Sequence, residues 1–408
     1  MKIAVSHPTG NEFVRALLRA LDGKNLLARF FTTLAAPPEN ILRLLPRPLR
    51  EQLARRRFAL PHSRISTRPA REITRLVANA AGIKSLTAHE SGAASLDAVY
   101  RDLDRFTATW VHKNSEEIRA VYCYEDGALE TFRAAASHRL ARIYELPIAY
   151  WETSRRILDD EAARLPEWEP TLFATRDSAE KCERKTQEIH LADIVVCPGK
   201  FVLDSMPKNI RHEKKCVVAK YGSPILPHLN RSDSTKSKLR VLFAGSMSQR
   251  KGLSDLFAAV KLLRRSDVEL VVFGSAILPM EFYRRQFDAF AYEPPRPHAA
   301  VLELMQRCDL LVLPSLVEGR ALVQQEALAC GLPLITTANA GAEDLIEEGS
   351  TGFLVPVRSP EKIAEKIAWF ADHREQLPAM REAARTKAAT CTWEGYADTI
   401  IRAASLET

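Results

Sequence analysis

The chain has 408 residues, 46% of them hydrophobic and 27% charged, with a formal charge of +7. This composition excludes a disordered or fibrous chain, and the length favours two cores over one. Seven cysteines without a CxxC pair exclude a zinc ribbon or disulfide framework and predict small, reduced, buried thiols.

In chain order, KIAVS is a short apolar strand, HPTGN a turn, and EFVRALLRALDGK an amphipathic helix closing at Gly23. Such a strand–loop–helix unit opens an α/β fold. Between residues 41 and 75, ten arginines (43, 47, 50, 55, 56, 57, 64, 68, 71 and 75) stand against Glu51 and Glu72. Two readings stay open for this segment: a solvated, partly helical surface, or a patch facing an anionic membrane or a charged lipid acceptor. No reading motif for nucleic acid accompanies it. SLDAVYRDLDRF follows with a helical pattern, so Asp102 and Asp104 are expected on a solvated helix face rather than on a metal.

Residues 120–127 read as a strand and turn, 128–139 as a helix and 141–147 as a strand, and 191–206 repeats strand then helix. The alternation over 1–205 implies a parallel sheet covered by helices on both faces. Turn formers fill 206–238, where the interdomain connection is expected. A second series then starts: strands at 239–245, 268–274, 309–315, 332–337 and 353–357, and helices at 251–265, 299–308, 343–349 and from Pro360 to about 370. Two doubly wound domains in tandem are predicted, each with a crevice at the carboxyl ends of its strands.

The apolar run DLLVLPS is a buried strand, and Glu318 lies just past its carboxyl end. A helix is expected from Arg320 or Ala321 to a left-handed cap at Gly331. Glu326, in its second turn, has Leu322, Val323, Ala329 and Cys330 as same-face neighbours. A carboxylate buried there costs several kcal/mol unless it is paired or hydrogen-bonded. A ribose diol satisfies it, and the adjacent helix N-terminus suits a diphosphate. An arginine across the core satisfies it equally well.

LVLPSLVEGRALVQQEALACGLPLITT, followed by AGAEDLIEEGSTGFLVP and preceded by LFAGSMSQRKGLSDLF and LVVFGS, resembles the nucleotide-binding half of family-4 retaining glycosyltransferases. The two glutamates separated by seven residues, Cys330-Gly331-Leu332-Pro333, the Gly-x-Glu at 341 and the Gly-x-x-Gly at 349 carry the likeness, which covers most of 190–400. The resemblance implies the GT-B architecture: an α/β chain with two Rossmann-like doubly wound domains facing across a cleft. Domain limits of 1–205 with a returning C-terminal helix at about 390–408, and 239–389, follow from it. Trp393 and Tyr396 would anchor that last helix on the first domain.

By the same resemblance, Glu318 contacts the donor sugar near the reacting carbon and Glu326 holds the ribose. Backbone N–H groups of Gly319, Arg320, Ala321 and Leu322 cradle the diphosphate together with Gly245. Lys251 and Arg250 neutralise it as it leaves. Gly10 and Asn11 present backbone to the phosphate. On position alone, and not by the resemblance, Phe290, Ala291 and Tyr292, between a strand and the next helix, are expected to face the base.

Four departures stand out. His7-Pro8-Thr9-Gly10-Asn11 stands where many relatives have a glycine pair in the first loop. Ser246 replaces a phosphate-binding arginine, for which Arg250, beside Lys251, is one replacement. Arg320 adds a cation to the phosphate loop and is a second compensation for it. YELPIAYW lacks the acceptor-side histidine, leaving His7, Glu125, Asp126 and Glu145 as candidates. The implied partners are a UDP-, GDP- or ADP-linked sugar and a carbohydrate or lipid-linked acceptor, with no cofactor and no obligatory metal. With no signal-peptide core in MKIAVSHPTG and no apolar run of about 18 residues, the expected location is cytoplasmic, against the inner face of the membrane. A degenerate nucleotide-sugar-binding module and a sugar-nucleotide epimerase of the same fold remain as alternatives.

Overall fold

The computed structural model describes residues 2–37, 39–43, 50, 53–54, 56–226 and 238–404. Arg47, Glu51 and Arg55 of the basic segment lie outside these residues, as do positions 227–237 of the expected interdomain connection.

Two wholly parallel sheets organise the chain. The first holds β1 (Ile3–Ser6), β2 (Leu27–Thr32), β3 (Ile65–Thr67), β4 (Ala120–Tyr124), β5 (Ala141–Glu145), β6 (Ile194–Cys197) and β7 (Lys215–Val218), in the order β3-β2-β1-β4-β5-β6-β7. The second holds β8 (Leu239–Ala244), β9 (Val268–Phe273), β10 (Phe290–Glu293), β11 (Leu310–Leu313), β12 (Leu334–Thr336) and β13 (Gly352–Leu354), in the order β10-β9-β8-β11-β12-β13. The strand order reverses between β1 and β4 and again between β8 and β11. At such a switch point the two flanking loops diverge and leave a crevice outside the carboxyl ends.

Apolar runs explain the burial. β11 reads LLVL and is buried throughout, as a central parallel strand with helices on both faces must be. The helix Glu12–Gly23 buries Phe13, Val14, Leu17, Leu18 and Leu21 at helical spacing, against β1 and β4 residues Val5 and Tyr122.

The connection begins later than the turn formers of 206–238 suggest. β7 falls inside that stretch and pairs with β6, so the first sheet has a seventh strand. Two segments cross between the halves. The last helix, Trp393–Ala403, seats Tyr396, Ala397, Ile400 and Ile401 in the first half's core. In the other direction, Trp168 is fully buried in the second half's core, 5.0 Å from Phe282 and 5.8 Å from Tyr283 between ring centroids. The helical Asp102-Leu103-Asp104 is not a solvated face. Asp104 is fully buried and accepts N–H bonds of 2.8 and 2.9 Å from Glu130 and Thr131, capping the helix Leu129–Ser137.

Candidate functional site

The site forms where the loops after β8 and β11 meet. After β8 the chain turns through Gly245 and a short 3₁₀ turn, Gln249–Lys251. Gly245 has φ +150°, and a Cβ there would sit 2.7 Å from Lys251 Cδ, so the missing side chain gives the lysine its path. Lys251 Nζ lies 2.6 Å and Arg250 Nη1 3.0 Å from Glu318 Oε1. Arg250 also donates to the Val317 carbonyl at 2.8 Å. Burial works to raise the Glu318 carboxyl, but Arg250 and Lys251 overcome it and hold the group below the usual carboxylate range. Glu318 is therefore ionised at neutral pH, and the trio carries a net single positive charge.

Gly319 sits where the halves touch. A Cβ on it would stand 1.7 Å from the Pro147 carbonyl oxygen, just past β5. Only glycine allows that approach. The helix begins at Leu322, slightly later than expected, and the Ala321 N–H is spent on the Ala340 carbonyl.

Three expectations for this half change. Arg320 does not reach a phosphate. Its side chain has no exposure, and its guanidinium donates to Asp344 Oδ1 and Oδ2 at 2.6 and 3.1 Å and to the Gly341 carbonyl at 3.0 Å. The bidentate partner cancels the extra cation, so Arg320 cannot stand in for the arginine missing at Ser246. Glu326 is not encased in apolar side chains. It is partly exposed and bonds His298 Nε2 at 2.8 Å, a residue at the start of the helix His298–Gln306. Phe290, Ala291 and Tyr292 form the edge strand β10 rather than a loop. Phe290 stacks on Phe257, and the Tyr292 hydroxyl donates to the Gly274 carbonyl at 3.0 Å. Position in the sequence did not distinguish loop from strand there.

In the first half, the candidates cluster at the β1/β4 switch point, except one. His7 is fully buried, and its Nδ1 accepts the N–H groups of Thr9 and Gly10 at 3.1 and 2.8 Å. That fixes the proton on Nε2. Burial, reinforced by Arg56, pushes the imidazole down to about 3. His7 fastens the loop and offers no basic nitrogen, and the Gly10 N–H is already used. Asn11 occupies the N-cap position of the following helix, exposed, and its side chain accepts from the Thr9 hydroxyl at 3.3 Å rather than from the helix N–H groups.

Glu125 ends β4. Burial raises its carboxyl to about 7 against the pull of Lys185. With Ile148, Lys185, Arg250 and Val317 it lines a small cavity between the halves. Asp126, at φ +67°, lies 3.8 and 3.9 Å from Lys185 and Lys181. Glu145 faces away from the crevice. It is buried beneath the last helix, accepting from Tyr122 at 2.5 Å and Tyr396 at 3.4 Å, and burial lifts it to about 8.

Most of the described arginines expected to form an anion-facing patch have partners. Arg56 and Arg75 share Glu72, Arg64 binds Asp22, and Arg68 binds Asp102. Among the described residues, no helix is long and apolar enough to cross a membrane. Among the described residues, one group, His89, Glu90 and Asp177, brings ligand atoms within 4.8 Å of one another. Lys181 and Lys185, both 3.1 Å from Asp177, already occupy it.

The fold and the two facing switch points define the GT-B class. Sucrose-phosphate synthase from Thermosynechococcus elongatus aligns with a TM-score of 0.67 over 98% of both chains at 16% identity. The Anabaena protein HepE in complex with UDP aligns with 0.63 over 100% of both, also at 16%. Within this fold, residues 228–387 match the family model of glycosyl transferases group 1. A D-inositol 3-phosphate glycosyltransferase of Paenarthrobacter aurescens is 28% identical over 165 residues, which is 38% of this chain and 40% of that protein. The chain thus spans about two fifths of the length of the first such relatives.

Proposed function

We propose that this protein is a retaining glycosyltransferase that moves a sugar from a nucleotide diphosphate sugar to an acceptor in cell-envelope polysaccharide or glycolipid synthesis. The observation that carries the reading is the Arg250–Lys251–Glu318 cluster at the carboxyl ends of β8 and β11, inside the segment that matches the family model. Its net positive charge suits a diphosphate whose negative charge grows as it leaves.

In this reading Glu318 accepts from the donor sugar hydroxyls and Glu326 from the ribose, displacing or sharing His298. The acceptor lies over the β1/β4 crevice. Its hydroxyl oxygen bonds to the anomeric carbon on the face from which the diphosphate departs. The carbon–oxygen bond to phosphate breaks, and the hydroxyl proton passes to the leaving phosphate oxygen. Cations already in place make an obligatory metal unnecessary. The chain would work in the cytoplasm at the inner membrane face, where exposed Ile73 and Val77 on the helix Ala70–Ala80 add apolar contact to the arginines.

The test is a thermal-shift screen against UDP-, GDP- and ADP-sugars, followed by nucleotide release with the sugar that binds. A shift with one base and multiple-turnover release support the reading. No shift with any of them overturns it.

A further inference from the structure

Glu161 ends up where its sequence gives no reason to expect it. It lies on the helix Trp151–Arg164 of the first half, fully buried, yet it receives donors from both halves. Arg164 donates to it at 2.6 and 3.0 Å, Gln249 Nε2 at 2.6 Å and Arg358 Nε at 2.6 Å. Gln249 and Arg358 belong to the second half. Gln249 is itself completely buried and completely engaged. Its Nε2 also donates to Asp255 at 2.8 Å, its Oε1 accepts the Ser254 N–H at 2.8 Å, and its backbone N–H reaches Thr171 Oγ1 at 3.1 Å.

Gln249 is the first residue of the turn whose next two residues are Arg250 and Lys251. Two first-half groups, Glu161 and Thr171, therefore hold the near end of the turn that aims both cations at Glu318. Between them Trp168 plugs into the second half's core. We infer that Glu161 is a positioning residue: through Gln249 it sets the turn bearing Arg250 and Lys251, so the donor-side cations are aligned only while the segment from 151 to 173 is docked on the second half. This rests on the proposed transfer reaction. Displacement of a reacting geometry by about 1 Å costs up to about a hundredfold in rate.

The experiment uses the full chain and whichever of the UDP-, GDP- and ADP-sugars shifts the wild-type melting temperature. Glu161→Gln, Gln249→Ala, their double variant and Thr171→Val are assayed for kcat and KM of nucleotide release. Glu161→Gln should lower kcat about tenfold or more with donor KM changed less than about threefold. The double variant should fall no further than the worse single one, as expected of residues acting through one contact. Thr171→Val, which removes the bond from the Gln249 N–H and the hydroxyl's own bond to the Trp168 carbonyl at 2.7 Å, keeps the test open if Glu161→Gln does not fold, and should lower kcat in the same sense. Unchanged kcat in folded variants, or additive losses in the double variant, overturns the inference while leaving the transfer reading intact. A wild type that binds none of the sugars overturns that reading and the inference with it.

Discussion

Lys251 Nζ stands 2.6 Å from Glu318 Oε1, joining the loop after β8 to the loop after β11 across the second sheet's switch point. Both side chains are largely buried, and Arg250 with Lys251 keeps the carboxylate charged, the two cations against one anion leaving a surplus positive charge. Lys251→Ala should lower kcat by about 10²–10³, the usual cost of removing one group that stabilises a leaving charge. Glu318→Ala should abolish transfer. Wild-type rates in either variant, measured as nucleotide release, would remove these residues from the mechanism.

Glu326 and His298 form the second test. If the carboxylate holds the ribose, Glu326→Ala loses a charged hydrogen bond worth about 1.5–3 kcal/mol. That corresponds to a roughly 10- to 150-fold weaker Kd for the nucleoside diphosphate. Calorimetry with the free nucleotide reads this directly. His298→Ala should leave binding equal or tighter, because it frees Glu326 of its partner.

Arg320 is expected to matter for stability rather than for donor charge. Asp344 is half-buried and keeps Lys220 at 3.2 Å, so losing the charged hydrogen bonds of Arg320 should cost about 1.5–3 kcal/mol, seen as a lower denaturation midpoint in Arg320→Ala. Adding Ser246→Arg should not restore it. Recovery of both midpoint and donor affinity in the double variant would reinstate Arg320 as a phosphate ligand.

Glu145 offers a pH signature. Its folded value near 8 lies above the ordinary 4.5. The folded state therefore holds the proton more tightly, so its stabilising contribution is complete below about 4.5 and is lost as pH rises through 8. Glu145→Gln should flatten the fall in melting temperature over that window. An unchanged pH profile would show that Glu145 does not titrate beneath Tyr122 and Tyr396.

Gly319→Ala should separate the halves, since its Cβ would fall 1.7 Å from the Pro147 oxygen. The expected result is loss of transfer with the secondary structure retained by circular dichroism. Full activity would mean that the contact is not needed for catalysis.

Much of the second half was readable because its signals are local. DLLVLPS marks a buried strand, and Glu318 and Glu326 keep their spacing on the loop and helix that follow. In the first half the sequence showed four of the seven strands, β1, β4, β5 and β6; β2, β3 and β7 were not legible, and neither was the chemistry. His7 looks like a replacement base in the sequence, yet the two N–H groups it accepts leave it none. Tyr292 is expected from its position to face the base, but it belongs to an edge strand and its hydroxyl is bonded to the Gly274 carbonyl. Glu161 and Gln249 carry no motif at all.

The sequence alone determined the two α/β halves, five of the six strands of the second half and the two-glutamate loop, because strand and helix periodicity and turn chemistry act over a few residues. Tertiary structure decided which charges remain available. Asp344 claims Arg320, the last helix covers Glu145, and Trp168 with Glu161 ties the first half to the turn carrying Lys251. Those pairings join residues distant in the chain, and burial rather than spacing selects them, since a charge removed from water must find whichever partner the packing brings near.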